Sequence, residues 1–164
     1  MATPTTLPAA FVAGAILTAA QQNNLRGAFR VLQVVASTYA TQTTATTNTF
    51  VNSGLTGTIT PSSTSSQVLV IVTQPAGVAA TCNLGMRLIQ TIAAADTTIT
   101  SWPNSLHSSA GLLYGTFARV SLVSPASIAA VSFRTQMSST TNAPTVYTQI
   151  GNETSTMILA EISA

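Results

Sequence analysis

From about residue 30 onward, apolar residues recur with a period of two, and no helical pattern of ten or more residues intervenes. That alternation constrains the fold more than any other feature, because a strand with this period can bury only one face. Val31-Leu32-Gln33-Val34-Val35 opens a strand that is expected to reach Tyr39. The next runs from Thr46 to Ser53 and is expected to break at Gly54, after which Leu55, Gly57 and Ile59 alternate with Thr56, Thr58 and Thr60. Leu84, Met86 and Leu88 alternate around Arg87, and Val131, Phe133, Thr135 and Met137 around Arg134. Thr97 to Trp102 reads as a weak strand ended by Pro103, followed by a polar loop over 103–111. Clusters such as Pro61-Ser62-Ser63-Thr64-Ser65-Ser66 supply the turns. The pattern predicts an all-β, antiparallel, jelly-roll-like β-sandwich of eight to ten short strands over residues 29–164.

One strand breaks the alternation. Val68-Leu69-Val70-Ile71-Val72 is apolar at every position. It is read either as a central strand covered on both sides or as a strand at a subunit contact.

The first 28 residues follow a different pattern. Pro4 and Pro8 favour an extended arm. An apolar stretch, Phe11 to Leu17, leads to Thr18, a good N-cap for a short helix that ends near Gly27. Such a helix is too short to be stable alone. Residues 1–28 are therefore read as an N-terminal docking arm, with Phe11, Val12, Ile16 and Leu17 as its contact residues.

Charge excludes several classes. The 164 residues include 5 Lys+Arg and 3 Asp+Glu, so 5% are charged, against roughly 25% in an average soluble domain. All five cations are Arg, and 29 Thr and 18 Ser dominate the polar residues. Five scattered Arg cannot neutralise a run of phosphates, so no nucleic-acid partner is expected. With 46% hydrophobic residues the chain is not a disordered one. No apolar run reaches the ~18 residues of a membrane helix, and Met1-Ala2-Thr3-Pro4 lacks the basic opening of a secretory signal. A surface of hydroxyls and amides suits a protein docked in an assembly.

Groups able to perform chemistry are few. His107 is the one histidine, expected in an exposed loop with Asp96 as its nearest acid, and no nucleophile-elbow pattern supports a triad. Cys82 stands alone and is read as a small apolar residue. No metal or cofactor is expected, and no catalytic residue is assigned. The Thr-x-Thr pairs lack the regular spacing of an ice-binding array. Arg87 and Arg134 should both point outward, either as solvated residues or as interface residues. With three acids for five Arg, an acidic partner is expected on another chain. Glu161, which follows the apolar run Met157-Ile158-Leu159-Ala160, is expected to pair with an Arg inside the chain or across a subunit boundary.

Four stretches carry a resemblance. They are the opener Phe11-Val12-Ala13-Gly14-Ala15-Ile16-Leu17-Thr18-Ala19-Ala20-Gln21-Gln22-Asn23-Asn24-Leu25, the body segments Asn52 to Pro61 and Ser65 to Val70, and the ending Thr154 to Ile162. Together they resemble small β-sandwich virion proteins of tailed bacteriophages. The resemblance implies a non-enzymatic structural protein of the virion, often trimeric. Its role would be that of a capsid decoration (cement) protein on the major capsid protein, or alternatively a tail-fibre or spike head that binds a host receptor. A homotrimer is expected, with one face of Val68–Val72 closing the core and the other meeting a neighbour.

Overall fold

A computed structural model describes residues 31–140 and 144–163. The arm over 1–28 and its short helix lie outside the described residues. The described residues are all-β, with ten strands and a single 3-10 turn at Ile150–Asn152. The strands are β1 (Val31–Tyr39), β2 (Thr43–Ala45), β3 (Val51–Ile59), β4 (Gln67–Val78), β5 (Cys82–Ile92), β6 (Ala95–Ser108), β7 (Leu113–Val123), β8 (Val131–Ser139), β9 (Val146–Thr148) and β10 (Ser155–Ile162).

Two antiparallel sheets face each other. One runs β1-β10-β4-β7, with β9 and β2 continuing beside the second half of β4; the other runs β3-β8-β5-β6. Among these eight long strands only β5 and β6 are consecutive neighbours within a sheet. Every other connection crosses between sheets, which is jelly-roll topology. The period-two residues fill the space between the sheets. Leu55, Ile59, Val68, Val70, Val72, Leu84, Met86, Leu88, Phe133, Met137, Met157 and Leu159 are buried there.

The differences from the sequence pattern have local causes. Gly54 does not end a strand. It adopts φ +88° within β3, where the β3–β8 register shifts between Asn52 and Thr56, so it forms a bulge and the strand continues. The segment before Val51 is irregular apart from the short β2. Pro103 does not end β6 either, because β6 is an edge strand and the missing N–H lies opposite a register irregularity between Leu84 and Met86. His107 consequently sits on β6, opposite Asn83, rather than in a loop. Pro75 lies inside the central strand β4. Its carbonyl accepts from Gln149 N at 2.8 Å, and its nitrogen, on the same edge of the strand, faces the gap where β4 exchanges β10 for β9 as its neighbour.

The β5–β6 hairpin turns on two residues, Ala93 and Ala94, with φ of 48° and 66°. Positive φ at both positions is what a type I′ turn requires, and alanine is strained there by about 1–2 kcal/mol. Ala94→Gly should therefore stabilise the protein by about 0.5–1 kcal/mol net of the added freedom of the unfolded chain. A urea melt showing a lower midpoint than the parent would refute this reading of the turn.

A buried polar cluster crosses the sandwich at one end. Gln74 on β4 donates to Ser53 Oγ on β3 at 3.0 Å and accepts from Thr135 Oγ1 on β8 at 3.0 Å. Gln149 and Ser155 pack beside them, 2.8 Å apart. With their partners satisfied, these groups fix how the two sheets face one another, since any slip would leave them unpaired in the interior.

Candidate functional site

Two sheet faces point away from the core. On the first sheet, Val68, Val70 and Val72 point inward and are buried, while Leu69 and Ile71 point outward and are half-buried. The register carries this outward set across four strands. Val34, Ala160, Leu69 and Leu122 form one row, and Ala36, Ile158, Ile71 and Val120 the next. All eight are apolar. Val34 is 61% exposed, Val120 62% and Leu122 54%, so the face is open and uncharged. The following row, Thr38, Thr156, Thr73 and Ala118, is mostly hydroxylated. The run Val68–Val72 is thus a central strand with one face in the core and the other on this surface. The sequence pointed to β4 alone, and its neighbours' contributions depend on register. On β7 the signal was visible as Val120 and Leu122, the alternate residues between Arg119 and Val123.

The second sheet's outer face carries Arg87 on β5 and Arg134 on β8, on adjacent rows of paired strands. Both point outward, as their apolar neighbours require. Arg134 is held within its own chain. It pairs with Asp96, donates to Thr91 Oγ1 at 2.6 Å and to Asn52 Oδ1 at 3.1 Å. The Arg134 hydrogen bond, helped by Thr91, holds the Asp96 carboxyl below its ordinary value. Arg134 thus has an acid within its own chain. Arg87 donates to Gln136 Oε1 at 2.7 Å and lies 4.3 Å over the Phe50 ring centroid, which holds the guanidinium against the face.

Glu161 is a correction. Its side chain is buried and meets no Arg. It accepts from Ser62 N and Ser62 Oγ, each at 2.7 Å, and from Gln33 Nε2 at 2.6 Å. Burial pushes the carboxyl up, but the hydrogen bonds from Ser62 and Gln33 outweigh it and bring the value to about 2. This carboxylate ties the loop after β3 to β1 and β10. It is a structural anchor rather than a docking residue.

The remaining chemistry-bearing residues do not converge. His107 and Asp96 sit near opposite ends of β6, roughly 35 Å apart at the rise of an extended strand. His107 Nδ1 instead contacts Asn83 Oδ1. Cys82 is buried, 3.2 Å from Ser139 Oγ. Among the described residues no three His, Cys, Asp or Glu side chains gather as metal ligands, and no helix is long and apolar enough to cross a membrane. Trp102 packs edge-on against Phe117, with centroids 5.1 Å apart, and Arg119 lies over both rings. An open groove of about 320 Å³ is lined by Tyr114, Gly115, Ile150, Gly151 and Glu153. Phe11, Val12, Ile16 and Leu17 lie outside the described residues.

No family model matches the sequence, and no curated protein matches it either. Among solved structures, the chain is similar to the infectious bursal disease virus VP2 subviral particle (TM-score 0.42, 8% identity, covering 79% of this chain and 39% of that one). It is likewise similar to the T13 particle of the same virus (TM-score 0.44, 9% identity, 82% and 38%) and to that of the Gt strain (TM-score 0.39, 12% identity, 80% and 38%). The chain spans about two fifths of the length of these neighbours.

Proposed function

We propose that this protein is a non-enzymatic virion structural protein of a tailed bacteriophage, a capsid decoration protein that binds the major capsid shell as a homotrimer. The observation that supports the reading most is the open, uncharged face formed by Val34, Leu69, Ile71, Val120, Leu122 and Ile158. An apolar face without charge suits contact with another protein surface. It accompanies an N-terminal stretch that carries no charge before Arg26. Jelly rolls host capsid, lectin and cupin domains alike, so the surface rather than the fold supports the assignment.

The docking element in this reading is the arm over residues 1–28. Phe11, Val12, Ile16 and Leu17 would contribute on the order of 1.5–3 kcal/mol each when buried, before the cost of ordering them. Three arms on one trimer would add avidity. A chain beginning at Gly27 should keep its β-rich circular dichroism spectrum and lose binding to intact particles, read by co-sedimentation. Undiminished binding would move the docking role to the face bearing Arg87 and Arg134. A second reading, a tail-fibre or spike head, is favoured by one observation, the groove where Tyr114, 58% exposed, stands beside Glu153. Immunogold labelling of particles separates the two: decoration puts the label over the shell, and a receptor-binding head puts it on the tail.

A further inference from the structure

We propose that the outer face of the β1-β10-β4-β7 sheet is the seat for the N-terminal arm of an adjacent copy, so that residues 9–17 of one chain cover Val34, Leu69, Ile71, Val120 and Leu122 of its neighbour. The proposal deepens the trimer reading above and rests on it; it seats Phe11, Val12, Ile16 and Leu17 on the neighbouring copy instead of on the particle, so that removing the arm would cost particle binding through loss of the trimer.

Size argues for an arm rather than a second sheet. Four strands at about 4.8 Å spacing and two rows of outward residues make a patch of roughly 270 Å². A stable contact between two folded surfaces buries about 800 Å² on each, so two such patches face to face would fall well short. A single extended segment fits the patch better. Residues 9–17 reach about 30 Å when extended, against about 19 Å for the width of four strands.

Composition matches as well. The eight outward residues are all apolar, and the stretch Ala9-Ala10-Phe11-Val12-Ala13-Gly14-Ala15-Ile16-Leu17 contains no charged or hydrogen-bonding side chain. Neither surface would bury a polar side chain without a partner.

The length of the intervening chain points to a neighbour. The arm joins the sandwich at Val31, the first residue of edge strand β1, at the corner of this same face. Fourteen steps separate Leu17 from Val31. Folding back onto its own sheet would need a turn of only about 2–6 residues. The sequence predicts a short helix over 19–25, which would add a spacer of about 10 Å. The surplus carries the apolar stretch away from its own face and toward the equivalent face of the next copy. Repeated around a closed ring, this head-to-tail contact is satisfied at every subunit.

The test uses the full chain carrying Ile16→Cys and Leu122→Cys, treated with a flexible bis-maleimide and run on a denaturing gel. Cys82 is 1% exposed and stays unmodified. The expected result is a ladder of cross-linked dimer and trimer, absent from either single-cysteine protein. Cross-links confined to single chains, in a parent that light scattering shows to be a trimer, would overturn the arm exchange and leave the trimer reading intact. A parent that is monomeric at micromolar concentration would overturn both. Independently, Leu122→Asp should reduce the solution mass to one third with an unchanged circular dichroism spectrum. A Leu122→Asp trimer of undiminished stability to dilution would also refute the proposal.

Discussion

Replacing Gly54 with alanine should destabilise the sandwich by about 3 kcal/mol, the sum of two separable effects. The first is backbone strain, since φ at Gly54 is +88°, a region where a Cβ costs about 1–2 kcal/mol. The second is overlap. A Cβ at Gly54 would stand 2.0 Å from Cε1 and 2.4 Å from Cζ of Tyr39. The Tyr39 ring packs against the core from the end of β1 and would have to swing into solvent. Gly54→Ala in a Tyr39→Ala background should consequently lose only the backbone part. Urea melts of the two single variants and the double variant give the coupling directly. Fully additive losses would show that the ring moves freely and that Tyr39 does not hold the β1–β3 edge closed.

The second large effect belongs to Glu161. Its carboxyl sits near 2 in the folded protein against 4.5 for the free side chain, so the unfolded chain binds the extra proton between those values. Stability then rises with pH across that window. The contribution is fully present above pH 4.5 and is lost as pH falls through 2, with a ceiling of about 3 kcal/mol. Glu161→Gln removes the charge and turns an NH2 toward Ser62 or Gln33, whose donors then lack an acceptor. The variant should lose about 2–3 kcal/mol at pH 7 and much less at pH 2. Paired melts at pH 7 and pH 2 check it. An unchanged difference between parent and variant at the two values would mean that the carboxylate is not what holds the loop after β3 against β1 and β10.

Both residues show where local sequence and tertiary structure divide the work. Gly54 stands out in the sequence as an interruption, and an interruption there is real. Whether it ends a strand or bulges one depends on β8 pairing along both sides of it. Pro103 follows the same logic. A proline is tolerated on an unpaired edge, as at Pro103, or where a central strand changes neighbour, as at Pro75, and the chain alone does not say where either place lies. His107 changed from loop to strand for that reason. The arm residues Phe11, Val12, Ile16 and Leu17 form a contiguous apolar stretch, legible without any partner strand.

The sequence by itself determined the fold class, because a period of two in apolar residues admits only strands with one buried face, and ten such strands close most readily as two sheets. It also determined the scarcity of charge, and with it the character of both outer surfaces. Only the tertiary structure decided which residues share a surface. Arg134 found its acid in Asp96, which lies 38 positions earlier, while Glu161 found Ser62 and Gln33 instead of an arginine. The apolar face joins β1, β10, β4 and β7, strands drawn from both ends and the middle of the chain. Side-chain periodicity fixes which way a residue points, a property of a few neighbouring residues. Register between distant strands fixes what it points alongside, and that is settled by the packing of the whole core.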